Sequence, residues 1–98
     1  MQRDPRERYR LVEHVRHHIL EDGSAVVLNR RTLEAVELNV SGSALFQQLL
    51  PGAPVSLEAL AGTLEATYAV PAPQAQRDAL ELVDALVAFG VVVPECSP

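Results

Sequence analysis

Three histidines crowd into five residues, at His14, His17 and His18, and these side chains are the best suited in the sequence to proton transfer or metal ligation. On a strand, His14 and His18 share one face with Arg16 between them, while His17 points away. Two imidazoles with only Glu13 and Glu21 nearby, and no adjacent cysteine, make an incomplete metal site. Cys96 is the sole cysteine. It has no partner for an internal disulfide, and without a matching His and acid it is a poor nucleophile. There is no glycine-rich phosphate loop, no Gly-x-Ser-x-Gly elbow and no Cys-x-x-Cys pair. Asp78, Glu81 and Asp84 fall on the polar side of a helical pattern and read as solvating charge. Catalysis is not expected, nor is a metal or a cofactor.

The elements that must position these groups fit one small domain. Ninety-eight residues, 48% of them apolar, allow a single core but no deep substrate chamber. No apolar run approaches the length of a membrane span, and the charged N-terminus lacks the hydrophobic stretch of a secretory signal, so a cytoplasmic protein is expected. The net charge is −5. All eight basic residues are Arg, and Arg3, Arg6, Arg8, Arg10 and Arg16 fall in the first sixteen positions. From Thr32 onward one base, Arg77, faces eight acids. A body so acidic repels phosphate backbones.

Residues 1–10 are charged, contain Pro5 and show no periodicity, which predicts a flexible lead-in before a single domain over 11–98. Val15 to Leu20 can form a strand, Asp22-Gly23 a tight turn, and Ala25 to Leu28 a second strand. Asn29-Arg30-Arg31-Thr32 makes the next turn. Glu34 to Leu38 then alternates, with Val36 and Leu38 on one face and Ala35 and Glu37 on the other. Consecutive hairpins predict an antiparallel meander. The second half is helical. Asn39 or Ser41 can cap a first helix carrying Leu45, Phe46, Leu49 and Leu50, ended by Pro51-Gly52. Ser56 caps a second, with Val55 and Leu60 placed for a hydrophobic staple, and Leu57, Leu60, Ala61, Leu64 and Tyr68 form its stripe. Pro71 and Pro73 close it. A third helix runs from about Gln74 to Phe89 and stops at Gly90, and Val91 to Val93 can pack back as a strand or wing. The fold class is therefore α+β, a three-stranded antiparallel sheet followed by three helices in a winged helix-turn-helix-like arrangement.

The apolar side chains of the third helix sweep an arc of roughly 180°, wider than the ~100° a core-facing helix needs. Leu80 and Val87 are the surplus, and they either pack on the domain's own sheet or wall a half-open groove. A DNA-reading third helix would need bases facing outward, whereas Arg77 stands among Asp78, Glu81 and Asp84. Peptide binding fits better. If the third strand lies at the sheet edge, its unpaired N–H and C=O groups are a template for an added strand. A winged-helix regulator acting through protein contacts, or a homodimer built on the same edge, are the alternative readings.

The stretch Asp22-Gly23-Ser24-Ala25-Val26-Val27-Leu28-Asn29, then Thr32, Glu37-Leu38-Asn39 and Gly42-Ser43-Ala44-Leu45-Phe46, resembles the PqqD-like proteins, the peptide chaperones of ribosomal peptide modification pathways. Ser56-Leu57-Glu58-Ala59-Leu60, Tyr68, Asp78, Leu82, Leu86 and Gly90-Val91-Val92 continue the pattern, so the similarity spans about Val15 to Val93. The resemblance implies the RiPP recognition element fold. It also implies a protein that binds the leader region of a precursor peptide as an extra strand and presents it to a modifying enzyme, often a radical S-adenosylmethionine maturase. Carried over by position, the strand contacts are Glu34, Ala35, Val36, Glu37 and Leu38, and the helix contacts are drawn from Arg77, Leu80, Glu81, Asp84 and Val87. Two departures stand out. Ala35-Val36 occupies a place where the family often has aromatics, which implies a shallower groove, and Phe46 stands where the family often has Trp.

Overall fold

The computed structural model describes residue 4 and residues 6–50 and 52–95, so Cys96, Pro51 and the first three residues lie outside the described residues. The hairpins form where the turn chemistry places them. β2 (Val15–Ile19) and β3 (Ala25–Asn29) pair antiparallel, Ile19 opposite Ala25. Between them Gly23 takes φ +93°, the left-handed conformation that a short hairpin loop requires and glycine adopts without strain. The Asp22 carboxylate accepts from the Ser24 N–H at 2.9 Å and from its hydroxyl at 2.5 Å. The hydroxyl first, then the amide, hold that carboxyl below the usual aspartate range. β4 (Glu34–Leu38) pairs with β3, Val36 opposite Val27 and Leu38 opposite Ala25. The sheet order is β2-β3-β4, the expected meander, and β4 is an edge.

Alternation sorts the faces. Ala25, Val27 and Asn29 are buried on the inner face of β3, and Leu38 and half-buried Val36 join them from β4. On this inner face the helices pack. Asn39, not Ser41, caps α1 (Val40–Leu49), its side chain accepting from the Gly42 N–H at 2.8 Å. Ser56 caps α2 (Leu57–Tyr68) by accepting from the Ala59 N–H at 3.1 Å. α3 (Ala72–Phe89) begins two residues earlier than its proline pattern suggested. Pro73 sits inside the first turn, where a missing N–H costs nothing, and the Ala75 N–H reaches the Pro71 carbonyl at 2.9 Å. Gly90 ends α3 at φ +86°. Phe46, Leu49, Leu60, Ala79, Val83 and Leu86 close the core between the three helices, and Phe46 is fully buried.

A second three-stranded sheet was not expected. β1 (Arg8–Leu11) lies at its centre, with β5 (Val55–Ser56) on one side and β6 (Val92–Glu95) on the other. Tyr9 faces Val55 and Pro94 across the ladder, and Leu11 faces Val92. Residues 8–10, assigned above to a flexible lead-in, are therefore strand. In Arg8-Tyr9-Arg10-Leu11 the apolar residues alternate with arginines over only four positions, and the surrounding charge hides the period. Tyr9, 1% exposed, is core. The apolar tail at Val91 to Val93 does pack back, as β6.

Candidate functional site

The site is best built from the main chain of β4. In an antiparallel ladder alternate residues direct both their N–H and C=O to one neighbour. The Arg30 N–H reaches the His14 carbonyl at 2.8 Å, and the Leu20 N–H reaches the Ser24 carbonyl at 2.8 Å. Residues 24, 26, 28 and 30 thus turn toward β2, so 25, 27 and 29 turn toward β4. On β4 the partners of Val27 and Ala25, Val36 and Leu38, spend their main-chain groups on β3, while the Glu34 N–H is taken by Thr32 Oγ1. Ala35 and Glu37 direct theirs outward, where among the described residues no strand pairs with them. Two N–H and two C=O groups on one open edge form the template.

α3 runs alongside that edge, and two anchors fix it. At one end the buried Asn29, which pairs with Glu34, donates from Nδ2 to the Phe89 carbonyl at 2.9 Å. At the other end, a β-carbon on Gly42 would lie 3.5 Å from Leu38 Cβ and 3.6 Å from Leu82 Cδ1, so both side chains crowd over the bare backbone of Gly42. Residues 82 to 89 of α3 therefore lie antiparallel to residues 34 to 38. The lengths match, about 10 Å of helix against about 13 Å of strand. Near the Leu38 end a cavity of about 380 Å³ opens, with Leu45, Leu64 and Leu82 as apolar walls and Asn39, Asp78 and Glu81 among its polar ones. At the opposite end a cleft of about 580 Å³ is lined by Arg10, His14, Arg31 and Gly90, among others. Arg10 is already paired there with Glu95 at 2.7 Å.

The structure brings together only part of the residue set expected from the sequence. Glu34 through Leu38 form the edge strand, with Glu34, Val36 and Leu38 on the inner face and Ala35 and Glu37 on the outer. On α3, Glu81 lines the cavity. Arg77, Leu80, Asp84 and Val87 sit about 140–160° around the helix axis from Leu82 and are set away from it. Asp78 and Leu82 reach the cavity instead, and Ala85 and Phe89 continue the Leu82 side of the helix. None of these four was singled out as a site residue, because a sequence stripe gives angles about the helix axis but not which angle meets the sheet. The only available signal was the tight Gly42, which allows Leu82 to approach. The histidines diverge. The His17 ring lies 5.5 Å from that of Phe46, and His14 Nε2 is 3.0 Å from the Gly90 carbonyl. His18 is exposed on the outer face of β2. Among the described residues no three metal-ligating side chains converge.

No helix among the described residues is long and apolar enough to cross a membrane. No curated protein matches the chain in sequence. Two solved structures are similar to it. TbiB1 in complex with the TbiA(beta) leader peptide superposes with a TM-score of 0.77 at 22% identity, over 90% of this chain and 99% of that one, which supports the fold. Lasso peptide synthetase B1 complexed with the leader peptide gives a TM-score of 0.73 at 30% identity, over 88% and 98%. Residues 24–92, from the β2–β3 turn to the first residue of β6, match the family of coenzyme PQQ synthesis protein D. The chain belongs to the PqqD family.

Proposed function

We propose that this chain is a non-catalytic, cytoplasmic leader-peptide-binding protein. It takes up the leader of a ribosomally made precursor as an added strand on β4 and presents the rest of the peptide to a separate modifying enzyme, of which a radical S-adenosylmethionine maturase is one class. The carrying observation is the open edge at Ala35 and Glu37 with α3 lying along it. Two similar structures hold leader peptides, which supports the same use here.

The energetics divide the work. Four outward main-chain groups give roughly 2–6 kcal/mol of net hydrogen bonding. Micromolar affinity needs about 8 kcal/mol beyond the cost of ordering a flexible peptide. The remainder must come from leader side chains that face inward, toward Val36 and the Leu82 side of α3, with one entering the cavity beside Leu45. Main-chain bonds thus set direction and register, and the cavity selects sequence. Of the helix residues expected to touch the peptide, Glu81 keeps that role, joined by Asp78, Leu82, Ala85 and Phe89.

The test is a titration of the ¹⁵N-labelled protein with the leader half of its precursor. Amide shifts should be largest at Ala35 and Glu37 and along residues 78 to 89. Shifts confined to the β5-β1-β6 sheet would remove the reading.

A further inference from the structure

Leu33 combines two properties that folding alone disfavours. It has φ +63°, the left-handed conformation that glycine adopts freely and a leucine does not, and its side chain is 77% exposed. Glycine or asparagine at this position would relieve the backbone and remove an apolar side chain from water. The turn that carries it is rigid. The Leu33 N–H reaches the Asn29 carbonyl at 2.7 Å, Asn29 Oδ1 accepts from the Arg31 and Thr32 N–H groups at 2.9 and 3.3 Å, and Thr32 Oγ1 accepts from the Glu34 N–H at 3.2 Å. Through Asn29 Nδ2 the turn is also pinned to the end of α3. A single leucine is therefore held out on a fixed stalk, next to the start of the β4 edge, with Arg30 and Arg31 exposed beside it.

Resting on the leader-binding reading above, we infer that Leu33, flanked by Arg30 and Arg31, is the docking knob for the modifying enzyme, and that it enters an apolar pocket rimmed by carboxylates on that enzyme. Charge selects this occupant over the leader. The cavity beside the edge carries Asp78 and Glu81, so a leader complementary to it is basic and is repelled by the two arginines at the turn. The Leu33 N–H is also spent inside the turn, so the strand template ends at Ala35. Arginine is a common hot-spot residue, and the pre-organised turn spares the cost of ordering the leucine beside it. The location suits the task, because a leader lying on β4 passes this turn at one end of the edge.

The experiment uses the full chain, its precursor peptide and the modifying enzyme encoded with that precursor. Leu33→Gly should raise the melting temperature by a few degrees, since it relieves the backbone. It should leave leader affinity within about twofold and slow precursor modification about tenfold, the size of one lost anchor. Leu33→Met, which keeps an apolar side chain, should restore the rate, and Arg30→Glu with Arg31→Glu should lower it. A photo-crosslinker at position 33 should join the enzyme. Wild-type modification rates in Leu33→Gly, or crosslinks to the leader or to a second copy of this chain, overturn the inference and leave leader binding standing. Failure of the unaltered protein to bind its leader removes both.

Discussion

Asn29 does two things with one side chain. It is 3% exposed, organises the Arg30–Leu33 turn through Oδ1, and ties β3 to the end of α3 through Nδ2. Asn29→Ala should cost about 1–3 kcal/mol in urea unfolding, because it strands the buried side of that network. Gly90 depends on the same contact. Its φ is +86°, and a β-carbon there would meet Asn29 Nδ2 at 2.9 Å, so Gly90→Ala combines backbone strain with a steric clash. The double variant should lose less than the sum of the single losses, since Asn29→Ala empties the space the new methyl needs. Additivity within about 0.3 kcal/mol would mean the two residues do not share the site. From the sequence Asn29 is legible as a turn residue and no more. Its partner stands sixty positions away, and no local pattern announces a hydrogen bond to a helix carbonyl.

At the scale of the element, β4 distinguishes two neighbouring residues that look alike by composition. Val36 spends its N–H on β3, and Ala35 directs its own outward. Ala35→Pro should therefore keep the fold and weaken leader binding by tenfold or more, about 1.4 kcal/mol, by removing one template donor and crowding the incoming strand. Val36→Pro should also destabilise the fold, because its missing donor belongs to the β3–β4 ladder. Calorimetric titration alongside thermal melting separates the two, and equal losses of affinity with equal melting curves would contradict the parity drawn for this edge. A charge change at the distant Glu58 should alter neither. Two-residue and 3.6-residue periods made the meander and the three helices readable in the sequence. β1 escaped because two arginines interleave its only two buried side chains. The azimuth of α3 escaped too, since the wide apolar stripe drew attention to Leu80 and Val87 while Leu82 faces the site.

Across the whole molecule the charges are separated. The arginines gather at the first strands and at the β3–β4 turn, and the acids dominate from β4 onward, for a net −5. Asp78 and Glu81 give the groove a negative field that favours a leader bearing Lys or Arg. Affinity should then fall as ionic strength rises from about 0.01 to 1 M, over which the screening length shrinks from about 30 to 3 Å. Binding that stays level or tightens with added salt would assign the affinity to apolar contacts alone. The same field keeps α3 from approaching a phosphate backbone, so duplex DNA at moderate salt should not be retarded by this protein. Sign and asymmetry of charge were plain in the sequence. Their alignment with one particular edge required the packing of α3 against β4.

The central place of β1 has a mechanical consequence. Arg8 lies directly across from Glu95, and the two strands run antiparallel from that point. A motor that grips residues near 8 and 95 and draws them apart loads the ladder across its rungs, so the bonds open one after another like a zipper instead of resisting together in shear. The seam gives way at low force and bares Tyr9, Leu11 and Val92 while the β2-β3-β4 sheet that carries the leader edge is still intact.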